Sequence, residues 1–335
     1  MRALVVNRIG EPADVVGLAE LPDPVPQPGE VLVRIRLAPV NESDLHVIRG
    51  RFGRQPKLPA SPGMEAVGDV EALGEGVSGP EIGTRVVLLN VGGTWRDKVV
   101  AAADRLIAVP DEVSDDDAAQ ALLNPVTAWV LAMEEHRLEP GDWLVQSAAG
   151  STVGRLVLQL ARSEGFKTIN LVRRQAQIAE ISDLGGDVTL CTEDADWGAR
   201  LALAANGAAP EKAIDCVAGR TAATLARSLA PGGRLIVYGA LSTHRQVDPA
   251  AFEMPVFAPR LIYESTTIQG WFLFRWLENT PLKDCADVVR MVLGRMADRS
   301  LRMPPAKHHH PGDFAAALAD AEGHRDAKPL FEFTS

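Results

Sequence analysis

Apolar and charged side chains alternate over Val31-Leu32-Val33-Arg34-Ile35-Arg36-Leu37, the pattern of a half-buried strand. Gln27-Pro28-Gly29-Glu30 supplies the turn before it. Residues 63–73 and 84–89 repeat this strand-and-turn texture, and residues 1–7 also read as a strand. Strands at this spacing predict a Greek-key barrel or sandwich over residues 1–118. The pattern changes at Ser114-Asp115-Asp116-Asp117, a helix N-cap cluster. From residue 142 strands and helices alternate. Strands are predicted at 142–147, 167–172, 188–191, 212–217 and 233–240, and helices at 152–164 and 176–184. Val153, Leu156, Val157 and Leu160 line one face of the first helix, and Gly185-Gly186 stops the second. This alternation predicts a doubly wound parallel sheet of the Rossmann type. A last segment, 258–335, carries a strand at 266–272, helices at 284–297 and 313–322, and a closing strand at 329–333. The expected division is therefore 1–118, 119–257 and 258–335, with His308-His309-His310 in a solvated loop.

The chain's 335 residues suit two domains. A net charge of −10 argues against nucleic acid or an anionic membrane as partner. No apolar run approaches the ~18–20 residues of a membrane span, and the first residues lack a secretory signal pattern, so the cytoplasm is the expected compartment. The three cysteines, Cys191, Cys216 and Cys285, are too widely spaced for a disulfide scaffold or a four-cysteine zinc lobe. Only two tyrosines, Tyr238 and Tyr263, are available as phenolic acids.

The strongest chemical signal is the turn Ala148-Ala149-Gly150-Ser151-Thr152-Val153-Gly154 between a predicted strand and a predicted helix. A dinucleotide needs small residues here, so that pyrophosphate can approach the backbone and the helix N-terminus. Ala148, Ser151 and Gly154 stand at the three glycine positions. A small-residue packing turn is the bland alternative. About twenty residues on, where an NAD site usually carries a carboxylate, the chain reads Leu171-Val172-Arg173-Arg174. Two guanidinium groups suit a 2′-phosphate, which favours NADPH; solvated surface arginines are the alternative.

Pro28-Gly29-Glu30-Val31-Leu32-Val33, Pro62-Gly63-Met64-Glu65-Ala66-Val67-Gly68 and Pro140-Gly141-Asp142 resemble stretches of the medium-chain dehydrogenase/reductase superfamily. That resemblance spans the chain and implies a GroES-like β-barrel domain, built from both chain ends, around a Rossmann domain. Asn41-Glu42-Ser43-Asp44 and Gly63-Met64-Glu65 lack the cysteine and histidine of its catalytic zinc sites, so no metal is expected. Asn124-Pro125-Val126-Thr127-Ala128-Trp129, Thr168-Ile169-Asn170-Leu171-Val172-Arg173, Gly93-Thr94-Trp95 and Gly270-Trp271-Phe272-Leu273 resemble the zinc-free 2-enoyl thioester reductases, with quinone oxidoreductases next.

Carried over by position, the resemblance places Asn124, Tyr238, Gly239, Ala240 and Leu241 at the nicotinamide end. It places Ser151, Thr152, Val153 and Gly154 at the pyrophosphate, and Arg173 and Arg174 at the 2′-phosphate. Trp271, Phe272 and Leu273 would contact the carboxamide, mainly through backbone, and Lys328 would reach the cofactor. The tyrosine proposed as proton donor in these reductases is replaced by Phe52, in Gly50-Arg51-Phe52-Gly53. Asn41 and Thr94 are then the catalytic candidates, with Ser43, Asp44 and His46 nearby. Phe52, Trp95, Trp271 and Phe257 are expected to line an apolar substrate cleft. The implied substrate is an enoyl thioester on coenzyme A or acyl carrier protein, or else a quinone. A cofactor-binding protein without turnover is the alternative from another class. A homodimer paired through the 266–272 strand is expected.

Overall fold

The computed structural model describes all residues except 244, 245, 247, 324–326, 334 and 335. Its strands are β1 (Arg2–Val6), β2 (Val16–Glu20), β3 (Glu30–Pro39), β4 (Val67–Leu73), β5 (Arg85–Leu88), β6 (Lys98–Ala102), β7 (Leu106–Ala108) and β8 (Trp143–Gln146). They continue with β9 (Lys167–Val172), β10 (Val188–Cys191), β11 (Lys212–Asp215), β12 (Arg234–Val237), β13 (Thr267–Gly270), β14 (Ala306–His309) and β15 (Lys328–Glu332). Two compact units result, one of Met1–Val126 with Thr280–Ser335, the other of Thr127–Asn279.

In the first unit the sheet order is β14-β15-β3-β4-β5-β7, with β6 also on β3, and β1 and β2 form a hairpin. β3 is long enough to hold two strands in succession. Its residues 30–34 pair with β6, and its residues 37–39 pair with β15. Trp95 and Phe331 meet edge to face in the core, with ring centroids 5.0 Å apart. Trp95 has no exposed surface, and its Nε1 donates to Pro39 O at 3.0 Å. This corrects its expected place in a pocket wall, because an indole sealed by β3 and β15 faces no ligand.

The histidine run is also corrected. It forms strand β14, parallel to β15. His308 is paired with Asp116 at 2.7 Å and Glu332 at 3.2 Å, and His309 with Asp320 at 2.9 Å. Carboxylates far away in sequence turn a polar run into a strand.

In the second unit six parallel strands run in the order β10-β9-β8-β11-β12-β13. The helix Thr152–Glu164 crosses from β8 to β9, begins at Ser151 and ends at Gly165 in the left-handed region (φ 80°). Gln146, Asn170 and Thr168 form a buried ladder. Gln146 Nε2 donates to Asn170 Oδ1 at 2.8 Å, and Asn170 Nδ2 donates to Thr168 Oγ1 at 2.9 Å.

Both expected boundaries move. Residues 119–126 stay with the first unit, where the N–H groups of Leu122 and Leu123 are bonded to Glu65. Residues 258–279 join the second unit, because β13 registers on β12 from Arg234↔Thr267 to Val237↔Gly270. No helix among the described residues is long and apolar enough to cross a membrane.

Candidate functional site

Strand order reverses between β8 and β11: β9 and β10 lie on one side, β12 and β13 on the other. Ligands of open parallel sheets bind beyond the carboxyl ends of the strands at such a point. The turn after β8 is shaped for a close approach. Ala148 takes the left-handed region at φ 48°, unusual for a residue other than glycine. Ser151 Oγ caps the following helix by accepting Gly154 N at 3.2 Å. A Cβ on Gly154 would lie 2.5 Å from Ala149 O, so only glycine lets helix and strand pack this closely. Ala148, Gly150, Ser151 and Thr152 keep some exposure at the rim, whereas Val153 and Gly154 are buried.

At the end of β9, Arg173 and Arg174 are exposed, and the Arg174 N–H donates to Gln177 Oε1 at 3.2 Å. No carboxylate occurs between residues 171 and 174. The cradle and the arginine pair fit a dinucleotide carrying a 2′-phosphate. Two further polar side chains reach this turn and escape the sequence reading. Arg155 Nε donates to Gly150 O at 3.1 Å, and Gln177 Nε2 lies 3.1 Å from where a Cβ on Gly150 would sit.

The other expected cofactor residues of this unit lie at the same strand ends. Tyr238, Gly239, Ala240 and Leu241 follow β12, and Tyr238 N donates to Asp215 O at 2.8 Å. Burial, then the neighbouring Cys216 thiol, pushes the Tyr238 hydroxyl well above its ordinary range, which makes it a poor acid. Trp271, Phe272 and Leu273 follow β13, with Trp271 N on Val237 O at 2.9 Å. Trp271 Nε1 is buried without a hydrogen-bond partner among the described residues, a donor placed to meet an acceptor. Leu273 turns into the core. Phe257 lies over Arg227 at 4.8 Å, on the outer face of the helix Gly219–Ser228.

The first unit holds a buried polar cluster. Glu65 Oε1 accepts Asn41 Nδ2 at 2.9 Å, while Oε2 accepts Leu122 N at 3.1 Å and Leu123 N at 2.9 Å. Lys328 Nζ donates to Asn41 Oδ1 at 2.5 Å, and Asn41 N donates to Asp44 Oδ2 at 2.8 Å. Thr94 Oγ1 donates to Glu65 O at 2.9 Å. Asn41, Thr94 and Lys328 are thus engaged with one another inside this unit, around Glu65, a buried carboxylate that collects donors. Burial raises Glu65, against its N–H partners and the Lys328 cation. Burial pushes Asp44 up to about 7, and its Oδ1 makes no hydrogen bond among the described residues. One ammonium stands near two buried carboxylates, and burial holds both acids above their ordinary range.

Asn124 follows the two N–H groups held by Glu65 and is half-buried in the helix Leu123–Trp129. Ser43 and His46 are half-buried on the helix Glu42–Ile48, and Phe52 is half-buried in the loop beyond it. Among the described residues, no group of three or more His, Cys, Asp or Glu side chains is placed to hold a metal.

Residues 27–111 match the profile of the alcohol dehydrogenase GroES-like domain, and residues 152–291 match that of the zinc-binding dehydrogenases. The zinc implied by the second description does not fit here, where Asn41 and Met64 occupy the ligand stretches. The mitochondrial enoyl-[acyl-carrier-protein] reductase of Rattus norvegicus is 34% identical over 309 residues, 91% of this chain and 81% of that protein. Its Mus musculus counterpart is 36% identical over 284 residues, 83% and 74% of the two chains. Among solved structures, a candidate NADPH:quinone reductase from Bacillus thuringiensis is similar with a TM-score of 0.90 at 28% identity, covering 99% of this chain and 98% of that one.

The Asp44 proton has a consequence for stability. Its folded pKa, about 7, lies above the ordinary 3.8, so its stabilising effect is complete below the ordinary value and is lost as pH rises through the folded one. Between about pH 5 and about pH 8 the melting temperature should fall more steeply for the wild type than for Asp44→Asn. Equal slopes in a thermal-melt series would count against the assignment.

Proposed function

The chain belongs to the zinc-independent medium-chain dehydrogenase/reductase superfamily and is an oxidoreductase; from that premise we propose that it is an NADPH-dependent reductase of activated C=C bonds, with a 2-enoyl thioester as substrate. The reading is carried by the 148–154 cradle beside a strand end with two arginines and no carboxylate. Likeness to enoyl-[acyl-carrier-protein] reductases over most of the chain supports the substrate class.

Bound at the cradle, the dinucleotide would supply a hydride to the β carbon of the C=C bond. Ser151, Thr152 and the N–H groups of the helix start would hold pyrophosphate. Arg173 and Arg174 would hold the 2′-phosphate through charge-assisted bonds. The Glu65 carboxylate fixes the start of the helix that presents Asn124. The remaining proton, due at the α carbon, comes from solvent, since Phe52 has no hydroxyl and Asn41 and Thr94 are bonded to neighbours.

The same phenylalanine favours a second reading, a quinone acceptor. A quinone takes one hydride and one solvent proton and needs no protein acid. Likeness to the candidate quinone reductase also supports this reading.

As assembly we propose a homodimer through β13. This edge strand lies beside the helix Ala258–Tyr263, where Ile262 and Tyr263 are 66% and 81% exposed, a patch that solvent does not favour.

Four experiments follow. Oxidation of NADPH with crotonyl-CoA, a long-chain enoyl-CoA and a benzoquinone separates the substrates, and inactivity toward all three would sink both readings. In the enoyl case Phe52→Tyr should raise turnover toward the ~10²-fold that a general acid supplies; an unchanged rate would mean that a tyrosine here supplies no proton. Arg173→Ala with Arg174→Ala should raise KM for NADPH and leave that for NADH nearly unchanged, whereas an unaltered ratio would refute the 2′-phosphate assignment. Light scattering should give the wild type twice the 35.9 kDa chain mass and Ile262→Asp a single chain; an Ile262→Asp dimer would refute that surface.

A further inference from the structure

At the carboxyl end of β11 a buried carboxylate holds a strained turn. Asp215 has no exposed surface. Its Oδ2 accepts the N–H groups of Val217 at 3.1 Å and Ala218 at 2.6 Å. Ala218 has φ 61° and ψ −160°, a region populated essentially by glycine and kept by other residues only where neighbours over-determine it. The two bonds to Asp215 are that constraint. The helix Gly219–Ser228 starts at the next residue without a side-chain cap, so the same carboxylate also sets where this helix begins. Burial raises the Asp215 acid, opposed by the Ser147 hydroxyl and by the Ala218 and Val217 N–H groups.

This turn joins the segments assigned to the dinucleotide. Toward β8, Ser147 N donates to Ile214 O at 3.1 Å, and Ser147 Oγ accepts Cys216 N at 3.0 Å. Ser147 directly precedes Ala148, the left-handed residue that opens the 148–154 cradle. Toward β12, Leu241 N donates to Cys216 O at 2.8 Å and Ser242 N to Val217 O at 3.0 Å. A Cβ on Gly239 would lie 3.1 Å from Cys216 Cβ, so this segment packs tightly on the turn. Neither the cradle nor the 239–242 segment can shift without disturbing residues 215–218.

We propose that Asp215 is a positioning residue for the dinucleotide: its carboxylate locks the 216–218 turn, and the turn sets the separation between the 148–154 cradle and the 239–242 segment. It needs no contact with the ligand. The assignment rests on the cofactor reading above and adds a residue outside the set that the family resemblance supplies. It acts on the nicotinamide half, because the adenosine half lies toward β9 and its arginines.

The test is binding calorimetry on the whole protein with NADPH, NADH and adenosine 2′,5′-bisphosphate, alongside the melting temperature without ligand. Asp215→Ala removes the oxygen that accepts both bonds and should weaken NADPH and NADH by the same factor, about tenfold. Adenosine 2′,5′-bisphosphate, which reports only the adenosine half, should bind as it does to the wild type. Adding Ala218→Gly supplies a residue at home in the strained region and should recover most of the lost affinity. If Asp215→Ala does not melt cooperatively, Asp215→Asn, which keeps one acceptor, should show a smaller loss with the same rescue. Undiminished dinucleotide affinity, an equal loss for the bisphosphate, or no rescue by Ala218→Gly would each overturn the assignment. A wild-type protein that binds neither dinucleotide would overturn the cofactor reading and this assignment with it.

Discussion

The first unit depends on a carboxylate that water does not reach. Glu65 is buried, and an ion in that position is tolerated only when its lone pairs are filled and a cation stands near. Asn41, Leu122 and Leu123 fill them, and Lys328 approaches through Asn41. These partners come from three places: the start of the helix Glu42–Ile48, the approach to the helix Leu123–Trp129, and β15. One side chain therefore ties the first strands to a residue far later in sequence. Removing one partner leaves a buried oxygen or donor unsatisfied, which costs more than never having buried it.

The second unit solves a related problem with backbone. Two alanines, Ala148 and Ala218, take positive φ at the ends of adjacent parallel strands. Each conformation is unfavourable alone, and each is held by hydrogen bonds within its own turn, from Ser151 N to Ala148 O and from Ala218 N to Asp215 Oδ2. Ser147 Oγ, accepting Cys216 N, ties the two turns together. A crevice lined this way has little freedom to rearrange, which suits a ligand that must be held along its whole length.

Much of this was legible in the residues. The helix at 152–164 and the strands at 167–172 and 188–191 agree with the folded elements because local period, cap and stop signals all point the same way. The cradle was legible because it is local. Trp95 was misread because its burial is decided by Pro39 and Phe331, far away in sequence. The histidines of β14 were misread for the same reason, their partners being Asp116, Asp320 and Glu332. Asp215 leaves a weak trace, an acid closing the apolar run Ala213-Ile214, but its task shows only once the fold sets Ala218 at positive φ. Glu65 stands in a stretch whose sequence signal is a missing histidine, and its donors arrive from positions that no spacing rule connects.

The placement of β15 also bears on how the protein is made. The strand lies against β3 and β14, yet it is synthesised long after β3. Residues 127–279 form a contiguous unit and can close while synthesis continues. The first 126 residues must wait for residue 328 before β3 gains its second edge partner and Asn41 its lysine. At ~5–20 residues per second that interval is on the order of ten to forty seconds. Throughout it, the β3 edge at residues 37–39 and the Glu65 cluster stand incomplete. In the cell, the N-terminal segment is therefore where a nascent-chain chaperone has most to protect, and the dinucleotide unit is where it has least.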